Sequence, residues 1–462
     1  MEQWDVIVLG AGAAGLYSAG QMGMRGLKVL VLDHARRIGE KIRISGGGRC
    51  NFTNLNGADP NRYLSRDPRF ARHALKAHPP ERFIARLRAA RIGFHEKHLG
   101  QLFCDGSSQE IIKLLLDECG RGRVQIRYPV TLQEISRLDD AASCSRFRVL
   151  ASDEVHQTSA LVVATGGLSI PAIGASNFAW RLAQQWGIPT EPPQPGLVPL
   201  TLTAAAWQPF AALSGVALPV AVSVSSGADA GYVHSRCVRF EDDLLFTHRG
   251  LSGPAILQIS SYWQAGQPLV LDLLPGMGDL APWLLDLKHA RTVLRYPPDS
   301  GPRGPGLPPQ HLQLGTVLAS HLPARLARTW LDRAVALSGS LMPDEVASSL
   351  AGLSDASRLA ETGDTRLRQL AQAIKHWPLR PAGTEGYRKA EVTTGGIATA
   401  ALDPHTLQAH AVPGSYWIGE AVDVTGWLGG YNFQWAWASA HAAASGIVAH
   451  HASRNRQLSG RR

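Results

Sequence analysis

The chain has 462 residues, of which 45% are hydrophobic and 18% are charged, and its formal net charge at pH 7 is +9. This length predicts two or three domains, and the composition excludes a fibrous or wholly disordered protein. No segment approaches the roughly 20 consecutive apolar residues of a membrane span. Five cysteines without a C-x-x-C pair argue against a disulfide framework and against a metal site. Because the N-terminus carries neither a basic segment nor a cleavage site, we expect a cytoplasmic protein without membrane contact.

The first 33 residues predict a strand, a glycine turn, a helix and a second strand. Asp5–Leu9 and Lys28–Leu32 are short apolar runs typical of buried strands, and Ala13–Met24 is rich in small residues at helical spacing. The turn reads G-x-G-x-x-G, in which the glycines allow a tight turn, close approach of a pyrophosphate and packing of helix on strand. An acid at the end of the second strand would accept the ribose hydroxyls of an adenosine, which disfavours NADP in this pocket. The residues assigned to this half of the site are Gly10, Gly12, Ala13, Ala14, Gly15 and Asp33.

A second glycine-rich loop and a C-terminal segment predict that the cofactor is FAD. Lys41–Asn54 surrounds three consecutive glycines with polar side chains, and Gly419–Asn432 follows a predicted strand and leads into the last helix. A C-terminal segment with an acid for the ribityl chain and a helix N-terminus for the pyrimidine end suits a flavin. The residues assigned here are Lys41, Ser45, Gly46, Gly47, Gly48, Arg49, Cys50, Asn51, Thr165, Gly166, Gly419, Glu420, Asp423, Gly429, Gly430, Tyr431 and Asn432.

Positive charge is concentrated in residues 34–91, which contain 14 Arg or Lys and four Asp or Glu. Such a segment favours phosphate-bearing partners such as RNA, although the arginines could simply be solvated, since the chain has 38 Arg and eight Lys. A helix is predicted over Glu81–Arg91. Its apolar stripe comprises Phe83, Ile84, Leu87 and Ala90, so we expect Arg82, Arg86 and Arg88 to face solvent.

The predicted secondary structure changes after the first strands and helices, which indicates another domain. A Pro-rich passage between Pro189 and Pro199 marks a crossing into another domain, and short β-rich runs continue to about Asp272. The pattern is then helical, apart from a Pro/Gly-rich linker. The elements predicted elsewhere are a helix over Gln109–Glu118, a strand over Ala160–Ala164, helices within Leu280–Leu370 around the linker Pro297–Pro309, a strand near Ile418 and a final helix over Phe433–His450.

Four motifs resemble the BaiN/YhiN-type NAD(P)/FAD-dependent oxidoreductases. They are Lys41–Asn54, Phe246–Pro254, Lys389–Gly396 and Gly419–Gln434. The resemblance implies an α/β fold, in which a Rossmann-like, glutathione-reductase-like FAD-binding domain is split by an inserted β-barrel domain with a small helical subdomain. It also implies FAD as the cofactor and NAD(P)H as a transient hydride donor. Members have been linked to reduction of a uridine in large-subunit ribosomal RNA, reduction of unsaturated bile-acid intermediates and oxidation of a small aminoketone.

These observations together predict a domain division. The predicted parts are 1–190 for the first part of the FAD domain, 191–280 for the β-barrel, 281–370 for the helical subdomain, 371–384 for a return strand of the barrel, and 385–462 for the second part of the FAD domain.

The reaction needs a proton donor beside the flavin if a C=C bond is reduced. The candidates are Cys50 in the glycine-rich loop, Tyr431 at the start of the last helix, and His248 between two glycine-bearing turns. We expect a C=C reductase that acts on ribosomal RNA through residues 34–91. The alternatives are a small-molecule flavin oxidase or reductase and a non-catalytic RNA-binding flavoprotein. The sequence leaves the oligomeric state open.

Overall fold

The computed structural model describes residues 2–138, 145–225, 237–289, 312–338, 348 and 350–459. The helices in this part of the chain are α1 (Ala13–Gly23), α2 (Glu40–Ile44), α3 (Arg72–Ala77), α4 (Pro80–Ala89), α5 (Ser108–Arg121), α6 (Phe178–Gln185), α7 (Ala204–Trp207), α8 (Pro254–Ser260), α9 (Leu280–Lys288), α10 (Leu314–Leu318), α11 (Ala324–Ser338), α12 (Asp364–Lys375) and α13 (Tyr431–Ser459). The strands are β1 (Glu2–Leu9), β2 (Val29–Leu32), β3 (Asn51–Asn54), β4 (Tyr63–Leu64), β5 (Phe94–Glu96), β6 (Gln101–Cys104), β7 (Gln125–Arg127), β8 (Leu132–Arg137), β9 (Phe147–Ala151), β10 (Glu154–Val163), β11 (Thr190–Gly196), β12 (Leu200–Thr201), β13 (Ala217–Ser225), β14 (Cys237–Phe246), β15 (Gly250–Ser252), β16 (Leu269–Asp272), β17 (Trp377–Leu379), β18 (Gly383–Thr384), β19 (Val392–Ile397), β20 (Ser415–Trp417) and β21 (Thr425–Gly426).

The chain divides into two compact units. The first unit comprises Met1–Gly196 and Tyr387–Arg462, and the second comprises Leu197–Gly386. Both ends of the chain therefore build one unit, and the second unit is inserted between them in sequence.

The first unit is organised around a mixed sheet with the order β7-β2-β1-β10-β9-β8, in which β20 also pairs with β10. β1, β2, β7, β10 and β20 run parallel, whereas β8 and β9 are antiparallel to their neighbours. Val6–Leu9 of β1 and the whole of β2 are continuous apolar runs, because both faces of this part of the sheet are covered. The residues Val6–Leu9 are completely buried.

The register of the parallel strands brings their carboxyl ends together. Leu9 pairs with Leu32 on one side and with Val163 on the other, and Val163 pairs in turn with Trp417. The loops that follow β1, β2, β10 and β20 therefore leave the sheet at one edge, which we call the carboxyl edge. Ligands of open α/β sheets bind outside this edge.

Helix α4 agrees with its predicted range, but one of its arginines does not face water. Phe83, Ile84 and Leu87 are buried as predicted, whereas Ala90 is exposed. The expectation that Arg86 points to solvent is wrong, because its Nη1 donates to Oε1 of Glu118 at 2.5 Å and its guanidinium lies 4.8 Å from the centre of the Tyr17 ring. The helical stripe could not reveal this contact, because α5 supplies the buried carboxylate.

Helix α13 extends nine residues beyond the predicted end at His450. The predicted end was wrong, since neither glycine nor proline occurs between His450 and Gly460. The helix packs against α1 and α3, and its Ala-rich face allows this close packing. Trp435 and Trp437 are fully buried in the core of this unit.

The second unit contains an antiparallel sheet with the order β17-β16-β13-β14-β15-β12-β18. Its end strands β17 and β18 are separated by only three residues, so Leu379 and Gly383 lie at most about 14 Å apart. Seven flat strands would span roughly 29 Å, and the sheet must therefore curl like an open barrel. Helices α9 to α12 follow in the region predicted to be helical, while Pro297–Pro309 lies outside the described residues.

None of the described helices combines the length and the apolar character that a membrane crossing requires.

Candidate functional site

Four loops meet at the carboxyl edge of the first unit. The amide of Gly10 donates to the carbonyl of Leu32, the amide of Ala164 to Leu9, and the amide of Ile418 to Val163. A Cβ atom on Gly10 would lie only 2.5 Å from the carbonyl oxygen of Ala164, so only glycine allows this close approach. The N-terminal glycine turn, the loop after β10 and the C-terminal segment after β20 therefore adjoin one another.

The N-terminus of α1 is open at this edge. Gly12 is the N-cap residue, and no side chain caps the first turn, so backbone N–H groups stay available for an anion. A Cβ atom on Gly12 would meet no protein atom within 4 Å. Beside it, the hydroxyl of Thr165 is buried without a hydrogen-bond partner among the described residues, and a Cβ on Gly166 would again meet nothing. This concave, polar space suits a pyrophosphate.

The carboxylate of Asp33 keeps acceptor capacity toward the same space. Its Oδ2 accepts from the amide of Ala11 at 2.5 Å, and its Oδ1 accepts from Ala35 at 2.7 Å. A carboxylate offers about four lone-pair sites, so two remain for ribose hydroxyls. The position at the end of β2 is the one predicted from the sequence.

The second glycine-rich loop forms an exposed left-handed turn. Gly46 and Gly47 have φ values of 56° and 65° within the short turn Ser45–Gly48, a region that L-residues other than glycine rarely adopt. Cβ atoms on Gly47 and Gly48 would meet no protein atom within 4 Å. The next side chains diverge, since Arg49 is exposed and Cys50 is completely buried.

The strand after this loop is tied to the start of the last helix. Asn54 Nδ2 donates to the carbonyl of Gly429 at 2.9 Å, and Thr53 Oγ1 donates to Gln434 Oε1 at 2.7 Å. In its hydrogen-bonded orientation, the Asn51 side-chain oxygen accepts from the amide of Gly430 at 3.2 Å. The N-terminus of α13 is thus held beside the glycine-rich loop, although nearly 380 residues separate them in sequence.

Glu420 clamps three segments of the edge together. Its Oε2 accepts from Nζ of Lys41 at 2.5 Å, and its Oε1 accepts from Oγ of Ser169 at 3.1 Å and from the amide of Thr393 at 2.9 Å. Lys41 Nζ also donates to Ser169 Oγ at 2.6 Å. Because its carboxylate already serves these three groups, Glu420 orients Lys41 and the neighbouring loops.

Asp423 is the second acid of the C-terminal segment, and it is 1% exposed. Its Oδ2 accepts from the backbone amide of Arg66 at 3.0 Å. Asn432, at the start of α13, is engaged locally through two hydrogen bonds of 2.8 Å with the backbone of Gly426. Gly419 adjoins α1, since its Cβ would lie 3.1 Å from the Cβ of Ala14.

The three proton-donor candidates lie in different surroundings. Burial raises the pKa of the Cys50 thiol to about 12, while a hydrogen bond with Ser45 opposes this shift. Burial also raises the pKa of Tyr431, whose ring packs against Tyr63. His248 is exposed on the turn between β14 and β15, in the second unit. The roles of these residues stay predictions.

Sequence reasoning missed Glu391, an acid inside the motif Lys389–Gly396. It directly precedes β19, whose Thr393 Oγ1 accepts from the amides of Leu168 and Ser169 at 2.8 and 3.2 Å. Glu391 as a residue is exposed. The protein around its carboxyl group nevertheless excludes water and raises its pKa, although the positive charge of Lys41 acts to lower that pKa. Glu391 is the sole acidic residue of the motif Lys389–Gly396, and its place in that motif could have identified it from the sequence.

The described residues fit FAD. An uncapped helix N-terminus, unfilled space beside Gly12 and Gly166 and an unpartnered Thr165 hydroxyl suit a pyrophosphate, and Asp33 suits the ribose. At the other end of the site, the glycine turn before α13 offers a second helix N-terminus, which stabilises negative charge on a reduced flavin.

Comparisons with known proteins agree with this geometry. The family model described as "HI0933-like protein Rossmann domain" matches residues 4–446. The chain is 40% identical to the "Ribosomal RNA dihydrouridine synthase" of Escherichia coli (strain K12) over 97% of this chain and 99% of that protein. It is 39% identical to the Haemophilus influenzae Rd protein of the same name, over 96% and 98% of the two chains. It is 27% identical to the "3-dehydro-bile acid delta(4,6)-reductase" of Clostridium scindens, over 94% and 97% of the two chains.

Proposed function

Because the chain belongs to the HI0933-like family of Rossmann-domain proteins, we propose that it reduces a uridine of ribosomal RNA to dihydrouridine, with NAD(P)H as the source of electrons. The protein is an FAD-dependent oxidoreductase, as the sequence predicted. The observation that supports the RNA substrate is the 40% identity, over nearly the full length of both chains, to a protein named for that reaction. Ribosomal RNA is a cytoplasmic substrate in bacteria, which supports a cytoplasmic location.

FAD, when bound, accepts a hydride from NAD(P)H and passes it to a carbon–carbon double bond. The residues of the carboxyl edge bind and orient it. The N-terminus of α1 would hold the pyrophosphate, and Asp33 the adenosine ribose. Lys41 is fixed by Glu420 and Ser169, and the ion pair with Glu420 neutralises its charge. Lys41 therefore serves to hold the start of the glycine-rich loop against the C-terminal segment.

The basic segment contributes two classes of arginine. Several cations are neutralised by carboxylates: Arg62 by Asp59, Arg66 by Glu191, Arg69 by Asp67 and Arg86 by Glu118. In contrast, within the described residues the side chains of Arg72, Lys76 and Arg82 form neither a hydrogen bond nor an ion pair, and all three are exposed. These three residues are the cations of the segment that we assign to RNA phosphates.

A groove in the first unit is lined by one of these cations, Lys76. It has a volume of about 410 Å³ and lies between α3, the loop at His405 and α13. Lys76 and His441 line it, and the rings of His73 and His405 lie 4.0 Å apart beside it. Burial, together with the charges of Arg82 and neighbouring arginines, lowers the pKa of His441 to about 4. His441 is therefore neutral at pH 7, and Lys76 is the cation that lines the groove. Arg82 acts electrostatically on His441, and Arg72 directly precedes His73 of the groove lining.

The groove lies on the same helix as the start of the cofactor site. Ten residues separate Tyr431 from His441 along α13, which corresponds to roughly 15 Å. An RNA strand whose phosphates occupy the groove could therefore place a nearby base at the carboxyl edge. We define the groove cations as Arg72, Lys76 and Arg82.

The test is reduction of RNA by the purified holoenzyme. Protein with FAD and NADPH or NADH is incubated with unmodified large-subunit ribosomal RNA, and nucleoside mass spectrometry measures dihydrouridine. We expect dihydrouridine to form in the complete mixture and not when NAD(P)H is omitted. A parallel reaction with an unsaturated steroid ketone examines the chemistry of the Clostridium relative. Turnover of the steroid without turnover of RNA would overturn the proposed substrate.

A further inference from the structure

Glu391 lies where three segments of the site meet. It precedes β19, and two residues later Thr393 binds the loop after β10 through the amides of Leu168 and Ser169. The amide of Thr393 itself donates to Glu420, which holds Lys41. Lys41 also acts electrostatically on the carboxyl group of Glu391. Glu391 therefore lies near the carboxyl edge, two residues before the side chain that binds the loop after β10.

The Glu391 side chain is both accessible and crowded. More than a third of the residue surface is open to solvent, whereas protein atoms around the carboxyl group remove enough water to raise its pKa. Protein atoms therefore surround part of the side chain, while another part of the residue stays open to solvent. This environment favours the neutral, protonated carboxyl group, which can donate a proton.

Glu391 differs from the other acids of the edge. The carboxylate of Glu420 serves three protein partners, and that of Asp33 serves two backbone amides. Asp423 is buried and bound to the Arg66 amide. Among the described residues, the carboxyl group of Glu391 forms no hydrogen bond and no ion pair, so nothing in the protein competes for its proton.

We propose that Glu391 is the catalytic acid that protonates one carbon of the substrate double bond while the other carbon receives hydride from the reduced flavin. This inference rests on the proposed C=C reduction. One C–H bond forms from the hydride and the other from the carboxyl proton, and the C=C π bond breaks. The substrate gains two electrons, which the flavin loses and NAD(P)H had supplied. The resulting carboxylate recovers its proton from water, to which the residue is exposed.

Glu391 is also better suited to act as the acid than the residues that were predicted from the sequence. The Cys50 thiol is completely buried and has a pKa raised to about 12, and the Tyr431 hydroxyl starts from a pKa near 10 and is shifted upward. A general acid works best when its pKa lies near the working pH. The pKa of the Glu391 carboxyl group is raised above its usual range, and this shift brings it closer to a neutral working pH.

The experiment measures two half-reactions of the Glu391→Gln variant separately, which are reduction of the flavin by NAD(P)H and its reoxidation by RNA. Glutamine keeps the size of the side chain but cannot donate the proton. We expect unchanged FAD content and unchanged anaerobic bleaching by NAD(P)H. Reoxidation of the reduced enzyme by ribosomal RNA should slow by about 10²- to 10⁴-fold, the usual contribution of a positioned general acid. Glu391→Asp should restore part of the rate, and the matched control Glu134→Gln, an exposed acid of β8, should behave as the parent.

A second readout needs neither substrate nor turnover. The folded state favours protonated Glu391, so its contribution to the free energy of unfolding is complete below the unfolded pKa near 4.3 and is lost as the pH rises through the folded pKa. The free energy of unfolding of the parent, minus that of Glu391→Gln, should therefore fall between pH 4 and pH 7.5. Glu134→Gln, at an exposed acid whose carboxylate lies 3.8 Å from Arg148, is the control for the substitution itself.

The outcomes are distinct. The assignment of Glu391 is overturned if the difference in free energy of unfolding between the parent and Glu391→Gln does not change with pH. It is also overturned if RNA reoxidises the reduced Glu391→Gln variant at the parental rate. A parent enzyme that forms no dihydrouridine overturns the proposed function itself, whatever the variant does.

Discussion

At the scale of single residues, Gly12 illustrates how a side chain can be excluded by a ligand and not by the protein. Its backbone φ of −84° suits any residue, and a Cβ atom would meet no protein atom within 4 Å. The only cost of a larger side chain is therefore the space that it takes from the cofactor.

We predict that Gly12→Val yields a folded protein that purifies without FAD. The branched side chain would occupy the space in front of the α1 N-terminus, and the pyrophosphate could not approach the backbone amides. Absorbance near 450 nm and the thermal unfolding midpoint measure the two properties. Gly120→Val is the control, because Gly120 of α5 also has open space around its Cβ but lies in another helix, and this variant should retain FAD. A yellow Gly12→Val protein would contradict the assignment of the pyrophosphate site.

At the scale of elements, α3 and α4 show that a basic segment is not a uniform surface. Arg86 turns inward to the buried carboxylate of Glu118 and stacks on Tyr17. Arg82, one turn earlier on the same helix, is exposed and unpaired among the described residues. Replacing Arg86 would leave a buried carboxylate without its closest partner, so it is unsuitable as a probe of RNA binding.

We predict that replacing the groove cations Arg72, Lys76 and Arg82 together with Gln weakens RNA binding but leaves FAD content and NAD(P)H bleaching unchanged. Removing one cation that binds a phosphate should reduce the slope of log K against log salt by roughly 0.7–0.9, so removing three reduces it by about 2–3. Binding of ribosomal RNA between 50 and 300 mM salt measures the slope. The control removes three exposed arginines of the second unit, Arg239, Arg249 and Arg358, which are paired with carboxylates. Equal effects of the two triple variants would indicate net charge alone and would contradict a localised groove.

At the scale of the whole molecule, the inserted unit leaves the FAD-binding unit dependent on contacts between the two ends of the chain. A buried polar network on the first unit joins such distant parts. The Tyr17 hydroxyl lies 2.5 Å from Nε2 of His78, while Gln434 of α13 donates to the carbonyl of His78 at 2.6 Å. Stability of this unit therefore depends on groups that must stay uncharged.

We predict an acid-sensitive stability that traces to His78. Burial, assisted by the nearby His441 ring and the arginines of α4, lowers the pKa of His78 to about 3. Since the unfolded His78 binds a proton near pH 6.5, its contribution is present above that pH and is lost as the pH falls toward 3. Between pH 7 and pH 5 the loss is up to about 2 kcal/mol. Urea unfolding at both pH values should show a smaller loss for His78→Gln than for the parent. Equal losses would contradict a buried neutral His78.

The amino-acid sequence alone was enough to establish the cofactor chemistry and the class of fold. A glycine triplet between a strand and a helix, followed by an acid at the end of the next strand, specifies a local backbone shape that needs no distant contact. The predicted α1, β2, α4 and α5 agree with the structure to within a few residues, because their hydrophobic periods are local properties. The family motifs then identified an FAD-dependent oxidoreductase.

Which polar side chains are free could be learned only from the folded chain. Periodicity assigns a face to Arg86 but cannot tell that α5 places Glu118 opposite it. Likewise, the sequence analysis assigned Glu420 to the cofactor and missed Glu391. The fold distinguishes the two acids, because Lys41, Ser169 and Thr393 converge on Glu420 and leave Glu391 unpaired among the described residues. Hydrogen bonding and desolvation depend on neighbours hundreds of residues away, and for that physical reason the catalytic assignment followed from the structure and not from the sequence.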